Sequence, residues 1–589
     1  MRSNRRWTKW LNHAVAVVAM LVAGLSGLPA LVQAGYELPP GERITNLPAI
    51  PRNMPQKEAY ENYDPVIGRN FDLKNFWMRA DLRVRPEFRN GVCFGGAAPV
   101  NGACNQNAPG VGTQNAVTAG QNQPTAFGGR GANDFYVQQW VRLGFGYDLS
   151  QDVNFYMELI DSRTWGGNGN PNNAGNGGDP LNSQCNTITT GACSLGVRAA
   201  YVLVRNLGGV QGLSMKAGRQ YIIFGNHSLF GHFDWANTGY SHDGVMFSYS
   251  TKAFDSYLGW FRNSETDLVQ GAAVGSGGAN IAGCNTAGGT GPCTNGATGT
   301  RTNTPDGGGD VDMFIFYNQI KSVPGFLIEP YYVLYLNMLS EQANAGQGIG
   351  TAKHSNQIRH MIGNRIEMRK GGFDLINEIA WQFGKMSDGV CSPIGAACPN
   401  GILDNSRNLS INAWATRNWL GYTMYDHKWK PRVAINLDYA SGDANANCVQ
   451  NGQRCTTANT FENFFPTNHI HMGYMDVMAW KNMIQPAANL QFRPTERDHF
   501  EFWFNMFYLA DKRDNWYRGS QGVYVFSKNA NSESHVGDEA DFTWTRMFAD
   551  GKVALQATYG HLFTGAYIRQ NLGVNSDQSW GYLSLWMNF

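Results

Sequence analysis

The chain has 589 residues, with 46 Lys and Arg against 45 Asp and Glu, 13% aromatic residues and 70 glycines. So balanced a charge gives no sign of a nucleic-acid partner. No stretch approaches the ~18 uninterrupted apolar residues of a transmembrane helix, which excludes a helical inner-membrane protein.

The N-terminus reads as an export signal. Arg2, Arg5, Arg6 and Lys9 precede an apolar stretch from Ala14 to Leu25, and Val32-Gln33-Ala34 offers small-residue cleavage. Residues 1–34 are therefore expected to be removed, leaving 42 basic against 45 acidic residues and a net charge of −3. Residues 35–72 follow, rich in proline (Pro39, Pro40, Pro48, Pro51, Pro55, Pro65). They read as an irregular periplasmic lead-in. Residues 73–589 read as one β-barrel.

The barrel pattern starts at residue 76. Phe76, Met78, Ala80, Leu82 and Val84 alternate with Trp77, Arg79, Asp81, Arg83 and Arg85. Residues 135–147 and 153–163 repeat the alternation, as Val137, Val141, Leu143 and Phe145 against Gln138, Trp140 and Arg142. A period of two is strand geometry, with one row toward lipid and one toward a polar lumen. Further strands are expected at 197–207, 213–224, 243–251, 253–263, 310–320, 325–338, 357–370, 372–387, 409–426, 431–441, 474–493, 498–510, 535–547, 552–564 and 578–589, which makes 18. The stretch 474–493 is the least regular and could hold a broken strand. In the last strand Leu583, Leu585, Met587 and Phe589 share a face opposite Tyr582, Ser584, Trp586 and Asn588. The expected fold class is all-β: a transmembrane antiparallel barrel with short periplasmic turns and long extracellular loops.

The links support that sidedness. Those after even strands are mostly short, such as Lys370-Gly371 and Asp550-Gly551. Those at 89–134, 164–196, 264–309, 388–408 and 442–473 follow odd strands. These five long links hold all ten cysteines. The local pairs are Cys93 with Cys104, Cys185 with Cys193, Cys284 with Cys293, Cys391 with Cys398, and Cys448 with Cys455. An even count in an exported chain reads as disulfides, each closing one extracellular loop. Zinc ligation is the rival reading, but the loops lack matching histidine spacing.

By phase the lumen row contains Arg79, Arg83, Arg85, Arg142, Arg359, Arg365, Arg369 and Arg432, joined by Arg163 and Arg219. Asp81, Glu158, Glu367, Asp374, Glu378, Asp438, Glu501, Glu539 and Asp541 share the wall. Arginine presents a planar fork of donors that fits carboxylates, and rings of it favour anion passage. For any one arginine, structural pairing with a wall acid is the competing role. The chain has no G-x-S-x-G, H-E-x-x-H or P-loop. Asp234-Trp235, His242-Asp243 and His469 with His471 do not assemble a catalytic or metal set from the sequence, nor do Asp438, Asp443 and Asp476 establish a cation site.

Three stretches carry a resemblance. The first is Gly218-Arg219-Gln220, Phe224-Gly225, Asp234-Trp235, Asn237 and Asp243-Gly244-Val245. The second is Asp438-Tyr439-Ala440-Ser441-Gly442-Asp443, Thr460-Phe461, Phe465-Pro466-Thr467-Asn468-His469, Gly473-Tyr474-Met475-Asp476 and Asn482. The third is Gly537-Asp538-Glu539-Ala540-Asp541. Together they resemble the alginate-export family of outer-membrane barrels. The resemblance implies an 18-stranded monomer with an arginine-lined pore that passes a polyuronate. Two basic positions of that pattern are lost here, at Asn226-His227-Ser228 and at Tyr240, which weakens alginate itself as the solute.

The expected function is a passive outer-membrane channel for anionic or polar solutes, an acidic polysaccharide among them. No enzyme activity, cofactor, metal or nucleic acid is expected, and the partners are lipid, solute and periplasmic transport components. The rivals are a general small-solute or inorganic-anion porin and a barrel that sheathes a partner such as an electron-transfer protein.

Overall fold

Alternation of apolar and polar residues becomes a wall of 18 antiparallel strands. The computed structural model describes residues 75–92, 132–165, 195–235, 239–264, 294–295, 299–300, 311–337, 357–386, 409–446, 456–517, 519, 523–525, 531–572 and 577–588. The expected signal segment, the expected lead-in and Phe589 lie outside them. So do all ten residues of the expected disulfides: Cys93 and Cys104, Cys185 and Cys193, Cys284 and Cys293, Cys391 and Cys398, Cys448 and Cys455. The wall strands are β1 (Phe76–Val92), β2 (Ala132–Asp148), β3 (Val153–Thr164), β4 (Leu195–Val204), β5 (Leu213–Gln220) and β6 (His242–Ser250). They continue as β7 (Phe254–Ser264), β8 (Val311–Ile320), β9 (Phe326–Asn337), β10 (Gln357–Lys370), β11 (Phe373–Met386) and β12 (Leu409–Thr423). The last six are β13 (Arg432–Ala440), β14 (Met483–Phe492), β15 (Asp498–Tyr508), β16 (His535–Phe548), β17 (Val553–Thr564) and β18 (Gln578–Asn588).

Each strand pairs with its sequence neighbour, and β18 pairs back with β1, placing Arg83 opposite Trp586. Closure removes the sheet edges, so backbone groups facing lipid are satisfied within the wall. The outward row is apolar: Leu143, Phe155, Leu258, Ile362, Ile379, Ile435, Leu437, Leu583 and Leu585 are all exposed. The inward row holds Arg83, Arg142, Glu158, Arg365, Glu378, Arg432, Glu501 and Ser584, all buried.

Two expected strands are shorter than their sequence pattern. The segment read as 213–224 leaves the wall after Gln220, and that read as 474–493 joins it only at Met483. The missing residues lie inside the barrel. Residues 221–235 with 239–241, and residues 441–446 with 456–482, turn into the lumen and meet there. Gly231 N donates to Phe465 O at 2.8 Å, Phe465 N to Leu229 O at 3.1 Å and Thr467 N to His227 O at 2.9 Å. Phe230, Phe461, Trp480, Trp516 and Tyr567 pack with wall residues Phe261, Met361 and Ala380 in one buried cluster. The side chains of this cluster join the inward segments to the inner face of the wall.

The inward segments carry backbone strain. Among the described residues, His227, Phe233, Phe464, Asp476 and Asn482 have φ between +47° and +68°. Such conformations cost about 1 kcal/mol or more and persist where surrounding contacts enforce them.

Candidate functional site

The inward segments are held by two groups of wall residues of opposite charge. The first group is basic and comes from β1, β2 and β4. Alternation along β1 sends Arg83 and Arg85 inward, and Arg142 on β2 and Arg198 on β4 complete the group. All four side chains are buried. They converge on Asp234 and Trp235. Arg83 donates to Asp234 O at 2.6 Å and to Trp235 O at 3.1 Å. Arg142 reaches Asp234 Oδ2 at 3.1 Å, and Arg198 reaches Oδ1 at 2.9 Å. Arg198 also donates to His232 O at 2.9 Å. Gly239, at φ +67°, lets the chain pass this guanidinium: a Cβ there would lie 2.1 Å from Arg198 Nη2.

Aromatic rings complete this site. Arg85 lies 3.6 Å from the centroid of Trp235, while Arg83 and Arg142 lie 4.4 and 3.9 Å from that of Trp140. Trp235 stacks on His469 with centroids 3.7 Å apart and planes within 3°. The first inward segment is thereby joined to the second. Burial opposes the charge of Asp234, but His232, Arg142 and Arg198 outweigh it and hold the carboxyl below its usual range. Burial lowers the basicity of His469 more than neighbouring Asp476, 3.0 Å from Nδ1, restores it.

The second group is acidic and comes from β15 and β16. Glu539 accepts from Met475 N at 2.9 Å, Asp541 from Tyr474 N at 3.3 Å and Glu501 from the Tyr474 hydroxyl at 2.7 Å. Gly473, at φ +78°, sits where a Cβ would lie 2.3 Å from Glu539 Oε1. Only glycine combines that backbone with so close an approach.

Of the residues expected in the lumen, Arg79, Arg83, Arg85, Arg142, Arg359, Arg365, Arg369, Arg432 and Asp438 occupy the inward row. Most are engaged by wall partners. Arg432 holds Asp374 through two bonds of 2.6 and 2.9 Å, and Arg79 reaches Asp81 at 2.8 Å. Arg365 bridges Glu329 and Glu367. Arg369 lies 3.6 Å from Glu367, and Arg359 donates to Gln357 and Gln382 at 2.8 and 2.7 Å.

Arg219 requires a correction. It stands on the outward row beside Asp243, 2.7 Å away, with side chains 31% and 54% exposed. The cause is local phase, because Lys216 and Gln220 take the inward positions of β5. Arg163 lies opposite Gln139, one residue beyond inward-facing Ser162, and its side chain is outside the described residues.

Sequence reasoning missed Arg198 and Arg417. A register shift between Glu158 and Leu159 separates Arg198 from a simple phase count. Arg417 lies in Ala-Trp-Ala-Thr-Arg-Asn-Trp, where both rows mix apolar and polar residues. It donates to Asp438 at 2.7 Å and to Ser228 at 2.7 Å, tying wall to inward segment. His469 and His471 do not converge: His469 meets Asp476, whereas His471 Nε2 lies 2.7 Å from Asn226 O.

The alginate export family model matches residues 308–582, and no curated protein matches the chain. Solved Pseudomonas aeruginosa structures similar to it include OccK9 (OpdG), with TM-score 0.46, 9% identity and coverage of 88% of this chain and 99% of that one. OpdQ gives 0.45, 11%, 88% and 98%. OccK2 (OpdF), solved with glucuronate, gives 0.45, 9%, 88% and 98%. The span that the alginate export family model matches runs from the approach to β8 into β18 of this closed, 18-stranded antiparallel barrel.

Proposed function

We propose that the barrel is a passive, non-enzymatic channel tuned to anionic solutes, with acidic oligosaccharides as the substrate class. The observation that carries this reading is the seat of Asp234. Arg142 and Arg198 grip its carboxylate while Arg83 holds its backbone carbonyl. A site that accepts an internal carboxylate has the donor geometry for an external one. Solute carboxylates would exchange with Asp234 as they pass, and the remaining inward arginines would offer further weak contacts. Diffusion supplies the driving force. The same reading includes cleavage after Ala34, which N-terminal sequencing would test. It also includes five loop-local disulfides: Cys93 to Cys104, Cys185 to Cys193, Cys284 to Cys293, Cys391 to Cys398 and Cys448 to Cys455. Non-reducing mass mapping should recover those five crosslinks, and free thiols at most of these positions would refute them.

Single-channel recording in planar bilayers tests the function. The expected result is anion selectivity with reversible block by oligouronates. Cation selectivity overturns the reading. Anion conductance that oligouronates leave unblocked favours the inorganic-anion porin instead.

A further inference from the structure

One sector of the outer wall carries a run of aromatic rings across three strands. The outward residues at the periplasmic ends of β14, β15 and β16 are aromatic and stack across strands. Phe492 and Phe500 lie 5.1 Å apart with planes within 9°. Phe502 and Phe542 lie 4.8 Å apart, and Trp544 extends the patch beside Phe500 at 6.5 Å. Beneath them, turns 424–431 and 493–497 are joined by Arg493 N donating to Trp429 O at 2.7 Å. Met547 N donates to Arg497 O at 2.9 Å and ties the second turn to β16.

This ledge has an excess of basic side chains over the exposed Asp426 and Glu496 on the same turns. Residues 425–430 are all exposed and include Lys428, Trp429 and Lys430, and Arg497 is exposed on the next turn. Arg546 emerges on the outward row itself, its side chain 41% exposed, 5.6 Å from the Phe548 ring and paired with Asp498 at 3.1 Å. Above the ledge runs a shallow trough. Ala488 on β14 lies between Ile435 and Phe504, which are 60% and 41% exposed. On another part of the rim, turns 149–152 and 205–212 carry Asp152 and Arg205, which are tied to Asn206 and Asn154.

We propose that this sector binds an anionic phospholipid of the inner leaflet. The phosphate would sit on Lys428, Lys430 and Arg497, and an acyl chain would lie along Ala488 between Ile435 and Phe504. Charge complementarity at headgroup height, directly below an aromatic lipid-facing wall, favours this occupant over a second copy of the chain.

Native mass spectrometry of the full-length protein, delipidated and then offered phosphatidylglycerol or phosphatidylcholine with identical chains, tests the site. Wild type should retain one phosphatidylglycerol in preference to phosphatidylcholine. Combined Lys428→Gln, Lys430→Gln and Arg497→Gln should weaken that binding about a hundredfold, from three lost headgroup charges. Ala488→Trp should weaken it with every charge in place, and Arg205→Gln should leave it unchanged. Equal retention of both lipids, wild-type binding by the triple or Ala488→Trp variant, or a lipid-free dimer through this wall overturns the proposal.

Discussion

The two wall groups that hold the inward segments have opposite polarity. On β1, β2 and β4 the wall supplies cations and the segment supplies the Asp234 carboxylate. On β15 and β16 the wall supplies carboxylates and the segment supplies the backbone amides of Tyr474 and Met475. The proposed function requires that a dissolved carboxylate replace Asp234, which the chemistry of guanidinium groups allows because they bind either one. A dissolved carboxylate cannot replace a carboxylate of Glu539 or Asp541 that is fixed to a strand. On the proposed function the first clamp would be the one open to competition by anionic solutes, while the second holds backbone amides on carboxylates fixed to the wall.

The largest expected effect comes from breaking the first clamp. Asp234→Ala leaves Arg142 and Arg198 buried without their shared carboxylate, a loss of about 3–5 kcal/mol. Thermal unfolding in detergent should report it, and added acetate should restore part of it if the site accepts external carboxylates. A smaller effect is expected at the second clamp. Glu539→Ala orphans the Met475 amide at about 1–3 kcal/mol, whereas Glu539→Gln keeps an acceptor. Amide exchange at Met475 should accelerate in the alanine variant only. Equal acceleration in both would show that geometry there depends on charge.

Acid should act on the first clamp. His469 has its basicity lowered by burial, so its contribution is present above the unfolded histidine value of about 6.5 and falls as pH drops below it. Asp234, held low, keeps its contribution until more acidic conditions. Unfolding measured from pH 7 to pH 5 should show a loss that His469→Phe, which preserves a ring beside Trp235, reduces. An unchanged slope would remove His469 from the clamp. The smallest effect is expected outside the barrel. Arg219→Gln breaks an exposed pair with Asp243 and should cost less than about 1 kcal/mol in the same assay.

The wall was largely legible from sequence. Leu583 and Leu585 outside, with Ser584 and Trp586 inside, follow directly from alternation in the last strand. The inward segments were legible only as interruptions. Residues 474–482 continue an apolar pattern into what resembles a strand, yet Met478 and Trp480 are buried within the lumen. Composition reports that such residues avoid water, but it does not distinguish a lipid-facing strand from a segment packed inside the barrel. Arg219 shows the same limit at one residue, since a soft strand boundary is enough to reverse a face.

Sequence alone determined the strands, their rows and the abundance of inward arginine, because strand periodicity is a property of adjacent residues. The tertiary structure decided what those arginines hold. Asp234 lies 92 residues from Arg142 and 36 from Arg198, and its backbone carbonyl lies 151 residues from Arg83. Closure of the barrel brings those strands around one lumen, and the inward turn after Gln220 carries the carboxylate to them. Neither event has a period or a spacing in the chain, which is why the charged wall could be read from sequence while the clamp within it could not.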